Sequence, residues 1–217
     1  MQVKYVIFDL DGTLLDTSVG VKQAICYTVK QYGLPVPTEE EMDTFIGPPI
    51  YESFVRYYKM SDEESKKATE IFRDAYKNQF LMGATAYDGI YDLLKKLKSL
   101  GIKTGVATNK RDDYAKVLLR GFGFDEYFDF ILGSDMENKM KKPDIVIKCM
   151  EALGAVDKQE VILVGDTVFD MEAAEQIGIG FIGVTYGFGF SAKKQDSDPD
   201  ILFSRTEEIY KYISNME

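Results

Sequence analysis

The chain of 217 residues is 45% hydrophobic and 29% charged, which argues against a disordered polypeptide and accommodates one α/β domain with room for a smaller second one. Its 36 acidic against 26 basic side chains leave a formal net charge of -10, so no basic face is expected to offset phosphate repulsion and no nucleic-acid partner is expected. Histidine is absent, which removes His-nucleophile phosphatases, Ser-His-Asp hydrolases, Cys-His proteases and His-ligated zinc enzymes in a single step.

The predicted elements begin with VKYVIF (residues 3–8), a strand that ends in FDLDGT and its two aspartates, Asp9 and Asp11. This first apolar run is interrupted by Lys4 and stopped at Asp9, too short for a signal-peptide core, and no later run approaches a membrane span. The two cysteines, Cys26 and Cys149, have no metal-like spacing and read as buried thiols of a reducing compartment. A cytoplasmic protein without a membrane partner, monomeric or weakly dimeric, is the expectation.

From Thr17 to Met82 the pattern is helical only: VGVKQAICYTVKQYG, TEEEMDTFIG, IYESFVRYYKM and SDEESKKATEIFRDAYKNQF. The last two are amphipathic, and Ser61 followed by Glu64 has the spacing of a capping box. Beyond this stretch strand and helix alternate. The helix YDLLKKLKSLG precedes the strand IKTGVA (residues 102–107), and RDDYAKVLLRGFG precedes FDFILG (128–133). PDIVIKCMEALG, with Pro143 in its first turn, precedes VILVG (161–165), and a helix then leads to GFIGVT (180–185). KKQDSDPD (193–200) reads as a polar loop. The strands are apolar on both faces, as buried parallel strands are. The expected fold is α/β, a doubly wound, Rossmann-like parallel sheet over residues 1–16 and 83–217, with an all-helical insert over 17–82.

In open α/β sheets the ligand lies outside the carboxyl ends of the strands. The residues at those ends are Asp9, Asp11, Thr108, Asn109, Ser134 and Asp166. FDLDGT alone is compatible with a strand-ending Asx turn. A calcium loop is excluded, because its fifth, sixth and twelfth places hold Thr13, Leu14 and Gly20. In GDTVFDMEAA, Asp166 ends a strand and Asp170 lies in the first turn of a helix, where the dipole alone would favour it. Together these carboxylates are costly: two unit charges about 4 Å apart repel by about 4 kcal/mol at an effective dielectric of about 20. A cation is required, and an all-oxygen set suits Mg²⁺. Lys142, before Pro143 in KMKKPD, can neutralise the remaining charge and bind a phosphate oxygen. Thr108 and Asn109 in GVATNK can hold an anion through a hydroxyl and backbone N–H groups, whereas Lys110 beside them has no assignable role.

The order D-x-D-G-T, then Thr after a later strand, then Lys-Pro, then G-D-x-x-x-D resembles the four motifs of the haloacid dehalogenase superfamily, across essentially the whole chain. The helical insert, with FIGPPI, and the later VTYGFG resemble the branch of phosphoglycolate phosphatases and 5′-nucleotidases, in which the insert is a cap. The resemblance implies a nucleophilic Asp9 that forms an aspartyl-phosphate and an Asp11 that serves as acid and then base. Mg²⁺ would be held by Asp9, the Asp11 carbonyl and Asp166, with Asp170 orienting metal-bound water or Lys142. Thr108, Asn109 and Lys142 would hold phosphoryl oxygens.

The partner implied is a small phosphorylated metabolite, chosen by cap residues among Phe45, Ile46, Gly47, Pro48 and Arg56, although pairing of Arg56 and Arg73 with the cap's glutamates is the plainer expectation. Where the family often has proline before glycine on leaving the cap, this chain has Asp88 in AYDGI. Dehalogenation needs neither Asp11 as acid nor Mg²⁺, so Asp11 favours phosphoryl transfer. Pyrophosphate hydrolysis, a β-phosphoglucomutase-like transfer and a non-catalytic binding or regulatory role are the alternatives.

Overall fold

The computed structural model describes residues 2–136, 139–191 and 197–216. The chain divides into two compact units, Met1–Asp16 with Ala86–Glu217, and Thr17–Thr85. The return crossing therefore falls after Thr85, beyond the Met82 expected from sequence. The reason is a contact between the two ends of the insert: Gly20 donates its N–H to the Gly83 carbonyl at 2.8 Å, and a Cβ on Gly20 would lie 2.3 Å from the Phe80 carbonyl oxygen. That close backbone contact keeps the last residues of the insert with its first helix.

In chain order, β1 (Tyr5–Phe8) and the two-residue β2 (Leu15–Asp16) precede the insert. The insert is built from α1 (Ser18–Gln31), α2 (Glu39–Asp43), α3 (Ile50–Tyr58) and α4 (Asp62–Ala75), the last continued by a π-helical turn over Tyr76–Phe80. Capping boxes open α2 at Thr38 with Glu41 and α4 at Ser61 with Glu64, where Glu64 N–H donates to Ser61 Oγ at 3.3 Å and Ser61 N–H to Glu64 Oε2 at 2.8 Å. The core of this unit is aromatic: the buried Phe45 packs on Phe54 and Tyr57 with ring centroids 6.2 and 5.4 Å apart, and Phe72 stacks on Tyr76.

The remaining elements are β3 (Thr85–Ala86), α5 (Ile90–Ser99), β4 (Lys103–Arg111), α6 (Asp112–Gly121), β5 (Phe130–Ser134), α7 (Lys142–Leu153), β6 (Val161–Gly165), α8 (Val168–Ile177), β7 (Gly180–Val184), β8 (Leu202–Phe203) and α9 (Thr206–Ser214). Six strands form one parallel sheet in the order β5-β4-β1-β6-β7-β8. Successive β1 residues serve opposite faces. Ile7 joins Ile145, Cys149 and Leu163 in the core beneath α7 and α8, whereas Phe8 packs edge-on against Phe128, which meets Phe124 and, through it, Tyr91 of α5. Both faces are thus covered, which accounts for the unbroken apolar runs.

Two elements depart from the sequence reading. β4 runs past Ala107 to Arg111 with a register shift between those residues, and β8, only two residues long, carries no periodicity by which to find it. Part of KKQDSDPD, residues 193–196, lies outside the described residues. Among the described residues no helix is long and apolar enough to cross a membrane.

Candidate active site

The sheet order reverses at β1, which has β4 on one side and β6 on the other. That is the switch point at which doubly wound sheets open a crevice. Phe8 is level with Val106 and Val164, and Asp9 N–H donates to the Val164 carbonyl at 2.9 Å. Strand pairing therefore carries Asp9 to the carboxyl edge beside Asp166, which directly follows β6. After the buried Leu10 the chain turns through Gly12 at φ 81, a left-handed conformation that favours glycine. Space imposes glycine as well, since a Cβ there would stand 2.1 Å from Asp166 Oδ2.

Lys142, the first residue of α7, is buried and bridges two carboxylates, with Nζ 2.5 Å from Asp9 Oδ1 and 2.6 Å from Asp170 Oδ1. Asp170 is itself oriented by the start of α8: its Oδ2 accepts Thr167 Oγ1–H at 2.7 Å and Thr167 N–H at 3.1 Å. Asp166 is fully buried and accepts Phe188 N–H at 2.8 Å on Oδ2 and Thr13 Oγ1–H at 3.3 Å on Oδ1. Phe190 N–H binds the Asp166 carbonyl at 2.8 Å. The loop after β7 thus holds both the side chain and the backbone of this residue.

Burial governs the charges. It pushes Asp9 up to about 6 even against the nearby Lys142 ammonium, with Asp170 and Asp11 adding to the rise. Burial, then the Asp170 and Asp9 carboxylates, push Asp166 up to about 8. For Lys142 burial pulls downward, but Asp170 and Asp9 outweigh it and hold the ammonium above its ordinary value. One lysine does not neutralise three buried carboxylates. Oxygens of Asp9, Asp166 and Asp170 all lie within 4.8 Å of one another. This enclosed set of hard oxygen donors, short of positive charge, fits Mg²⁺.

Asp11 faces elsewhere. Both of its carboxylate oxygens accept from Lys110 Nζ, at 2.8 and 2.9 Å, and its side chain is not among the three grouped carboxylates. Lys110 is the residue that sequence reasoning passed over. The expected strand ended at Ala107, whereas β4 continues through Thr108, Asn109 and Lys110; strand alternation from Thr108 was the available signal. Thr108 is buried, with Oγ1 accepting Lys110 N–H at 3.2 Å, and Asn109 is exposed. Ser134 is buried at the end of β5.

In the insert, Phe45 and Ile46 are buried, Gly47 is exposed with φ 99, and Pro48 is half-buried. Arg56 is exposed and donates to the Thr44 carbonyl at 2.6 Å, a backbone partner in place of the glutamate expected from sequence.

Carboxylates paired with lysines, Asp9 and Asp170 with Lys142 and Asp11 with Lys110, thus gather at the switch point of a doubly wound sheet. Residues 6–184 match the family model described as haloacid dehalogenase-like hydrolase, and the chain belongs to that family. The phosphoglycolate phosphatase of Aquifex aeolicus is 29% identical over 214 residues, covering 98% of each chain. The pyrophosphatase PpaX of Halalkalibacterium halodurans is 31% identical over 214 residues, also covering 98% of each. A crystal structure of a predicted phosphatase from Clostridium acetobutylicum superposes with a TM-score of 0.91 at 33% identity, over 99% of this chain and 100% of that one.

Proposed function

We propose that this haloacid dehalogenase-like phosphatase is a Mg²⁺-dependent phosphomonoesterase for a small organic phosphate, phosphoglycolate or a 5′-nucleotide, and that it works through a phosphorylated Asp9. The observation that carries the reading is the convergence of Asp9, Asp166 and Asp170 around the buried ammonium of Lys142. Asp9, fixed by strand pairing, attacks phosphorus in line with the leaving oxygen. Asp11 protonates that oxygen and then takes a proton from the water that hydrolyses phospho-Asp9. Lys142 and Thr108, with Asn109, hold phosphoryl oxygens as charge shifts among them. Asp9, Asp166 and the Asp11 carbonyl would hold Mg²⁺, with Asp170 behind them orienting Lys142; the ion, when bound, supplies positive charge for the phosphoryl oxygens. Substrate choice is assigned to the helical insert, with Phe45, Ile46, Gly47, Pro48 and Arg56 as the residues to vary. A cytoplasmic, monomeric or weakly dimeric enzyme is the accompanying expectation.

Pyrophosphate hydrolysis is the second reading, supported by the PpaX relative at 31% identity. The test is hydrolysis of 4-nitrophenyl phosphate with Mg²⁺ and with a chelator, followed by a panel of phosphoglycolate, 5′-nucleotides, pyrophosphate and β-glucose 1-phosphate. Chelator-sensitive turnover with preference for a monoester is expected. Preference for pyrophosphate selects the second reading, and no turnover on any substrate overturns both.

A further inference from the structure

Asp9 and Asp11 are two residues apart, yet each is held by a different lysine: Lys142 contacts Asp9 and Lys110 contacts Asp11. The Lys110 contact is a nearly symmetric fork, 2.8 and 2.9 Å to the two oxygens, with the lysine side chain 8% and the aspartate side chain 20% exposed. Largely withdrawn from solvent, this pair is screened less than a surface ion pair and fixes a direction as well as a charge.

The lysine is itself anchored. Its N–H binds Thr108 Oγ1 at 3.2 Å, and its carbonyl lies so near β5 that a Cβ on Gly133 would stand 2.4 Å from the oxygen. Gly133 N–H in turn donates to Asp112 Oδ1 at 3.0 Å. The strand extension that sequence reading missed therefore delivers an ammonium to Asp11 from a braced backbone.

We propose that Lys110 is a positioning residue for the proton transfer performed by Asp11, an inference that rests on the acid–base reading of Asp11 above. When an Asp9 oxygen bonds to phosphorus and the bond from phosphorus to the leaving oxygen breaks, that oxygen takes the carboxyl proton of Asp11. Asp11 is left as the carboxylate that the Lys110 fork matches. That carboxylate then accepts a proton from the water attacking phospho-Asp9, which releases phosphate and frees Asp9. Lys110 touches neither phosphorus nor leaving group in this scheme; it sets where the carboxyl points.

The consequence is a dependence on the leaving group. An alkoxide needs the proton as it departs, and 4-nitrophenolate does not. The experiment measures kcat/KM, which reports the first chemical step, for Lys110→Met on 4-nitrophenyl phosphate and on whichever of phosphoglycolate, glycerol 3-phosphate and adenosine 5′-phosphate the wild type hydrolyses fastest. A loss of about 100-fold on the alkyl phosphate is expected. On the aryl phosphate the loss should be under about threefold, and Lys110→Arg should recover most of the alkyl activity. Any unfolded fraction lowers both substrates equally and cancels in their ratio. Equal losses with Lys110→Met, while Asp11→Asn still discriminates between the substrates, overturn the role of Lys110 alone. Equal losses with Asp11→Asn, or no alkyl phosphate hydrolysed by the wild type, overturn the reading of Asp11 and the proposal with it.

Discussion

Phe188 donates its backbone N–H to Asp166 Oδ2 at 2.8 Å, a contact that ties the loop after β7 to a fully buried carboxylate. The approach requires glycine next door: a Cβ on residue 187 would lie 2.3 Å from the Gly12 carbonyl oxygen and 2.4 Å from Asp166 Oδ2. The loop binds Asp166 Oδ2, and Thr13 binds Oδ1 at 3.3 Å.

Gly187→Ala is accordingly expected to destabilise the protein by about 1–3 kcal/mol through overpacking. It should also weaken Mg²⁺ binding at least about tenfold, because the groups that orient a metal's ligands tune its affinity. Urea unfolding and calorimetric titration with Mg²⁺ check the two effects. Unchanged affinity would show that the loop does not orient Asp166.

Lys142 is a buried cation shared by Asp9 and Asp170, and removing one partner of a buried ion pair leaves the others uncompensated. Lys142→Met is expected to lose about 3–5 kcal/mol at neutral pH by urea unfolding without metal. Mg²⁺ should stabilise this variant more than the wild type. A loss below about 1 kcal/mol, the range of surface pairs, would contradict the assigned burial.

The raised carboxyl groups give the metal-free protein a definite pH dependence. Asp9 and Asp166 ordinarily titrate at 3.8 but are pushed up to about 6 and about 8 by burial. The folded state then binds more protons than the unfolded state, so their contribution favours folding below 3.8 and is lost as pH rises through about 6 and then about 8. With a chelator present, stability between pH 4 and 8 should fall more steeply for wild type than for Asp166→Asn. Equal slopes in urea unfolding would remove the assignment.

The positions at the carboxyl edge were legible because each ends a simple local pattern. Asp9 and Asp166 follow apolar runs that read as buried strands, and Lys142 stands before the proline in the first turn of α7. Lys110 was harder to read because its role depends on where β4 ends: alternation from Thr108 was the only signal, and the register shift after Ala107 has no signature of its own. The VTYGFG stretch could be seen but not explained, since the approach of Gly187 to Asp166 joins residues distant in sequence. The last residue of the insert, Thr85 and not Met82, was out of reach for the same reason: the pairing of Gly20 with Gly83 spans the whole insert. Local chemistry is written locally, whereas close backbone approaches are created by the fold.

The capping box of α4 was readable in full, from Ser61 and Glu64. Its energetic weight is testable apart from catalysis: Ser61→Ala is expected to destabilise the protein by about 1 kcal/mol in urea unfolding. Turnover of 4-nitrophenyl phosphate should stay within about twofold of wild type when the variant is assayed well below its unfolding midpoint.

The central claim is that Asp9 is the group that takes the phosphoryl moiety. Its most direct test is turnover of 4-nitrophenyl phosphate by Asp9→Asn at saturating Mg²⁺, on protein whose circular dichroism and melting show the wild-type fold. The expected result is a loss of at least about 10⁴-fold in kcat, the scale on which a covalent nucleophile is missed. Turnover within tenfold of wild type would contradict the account.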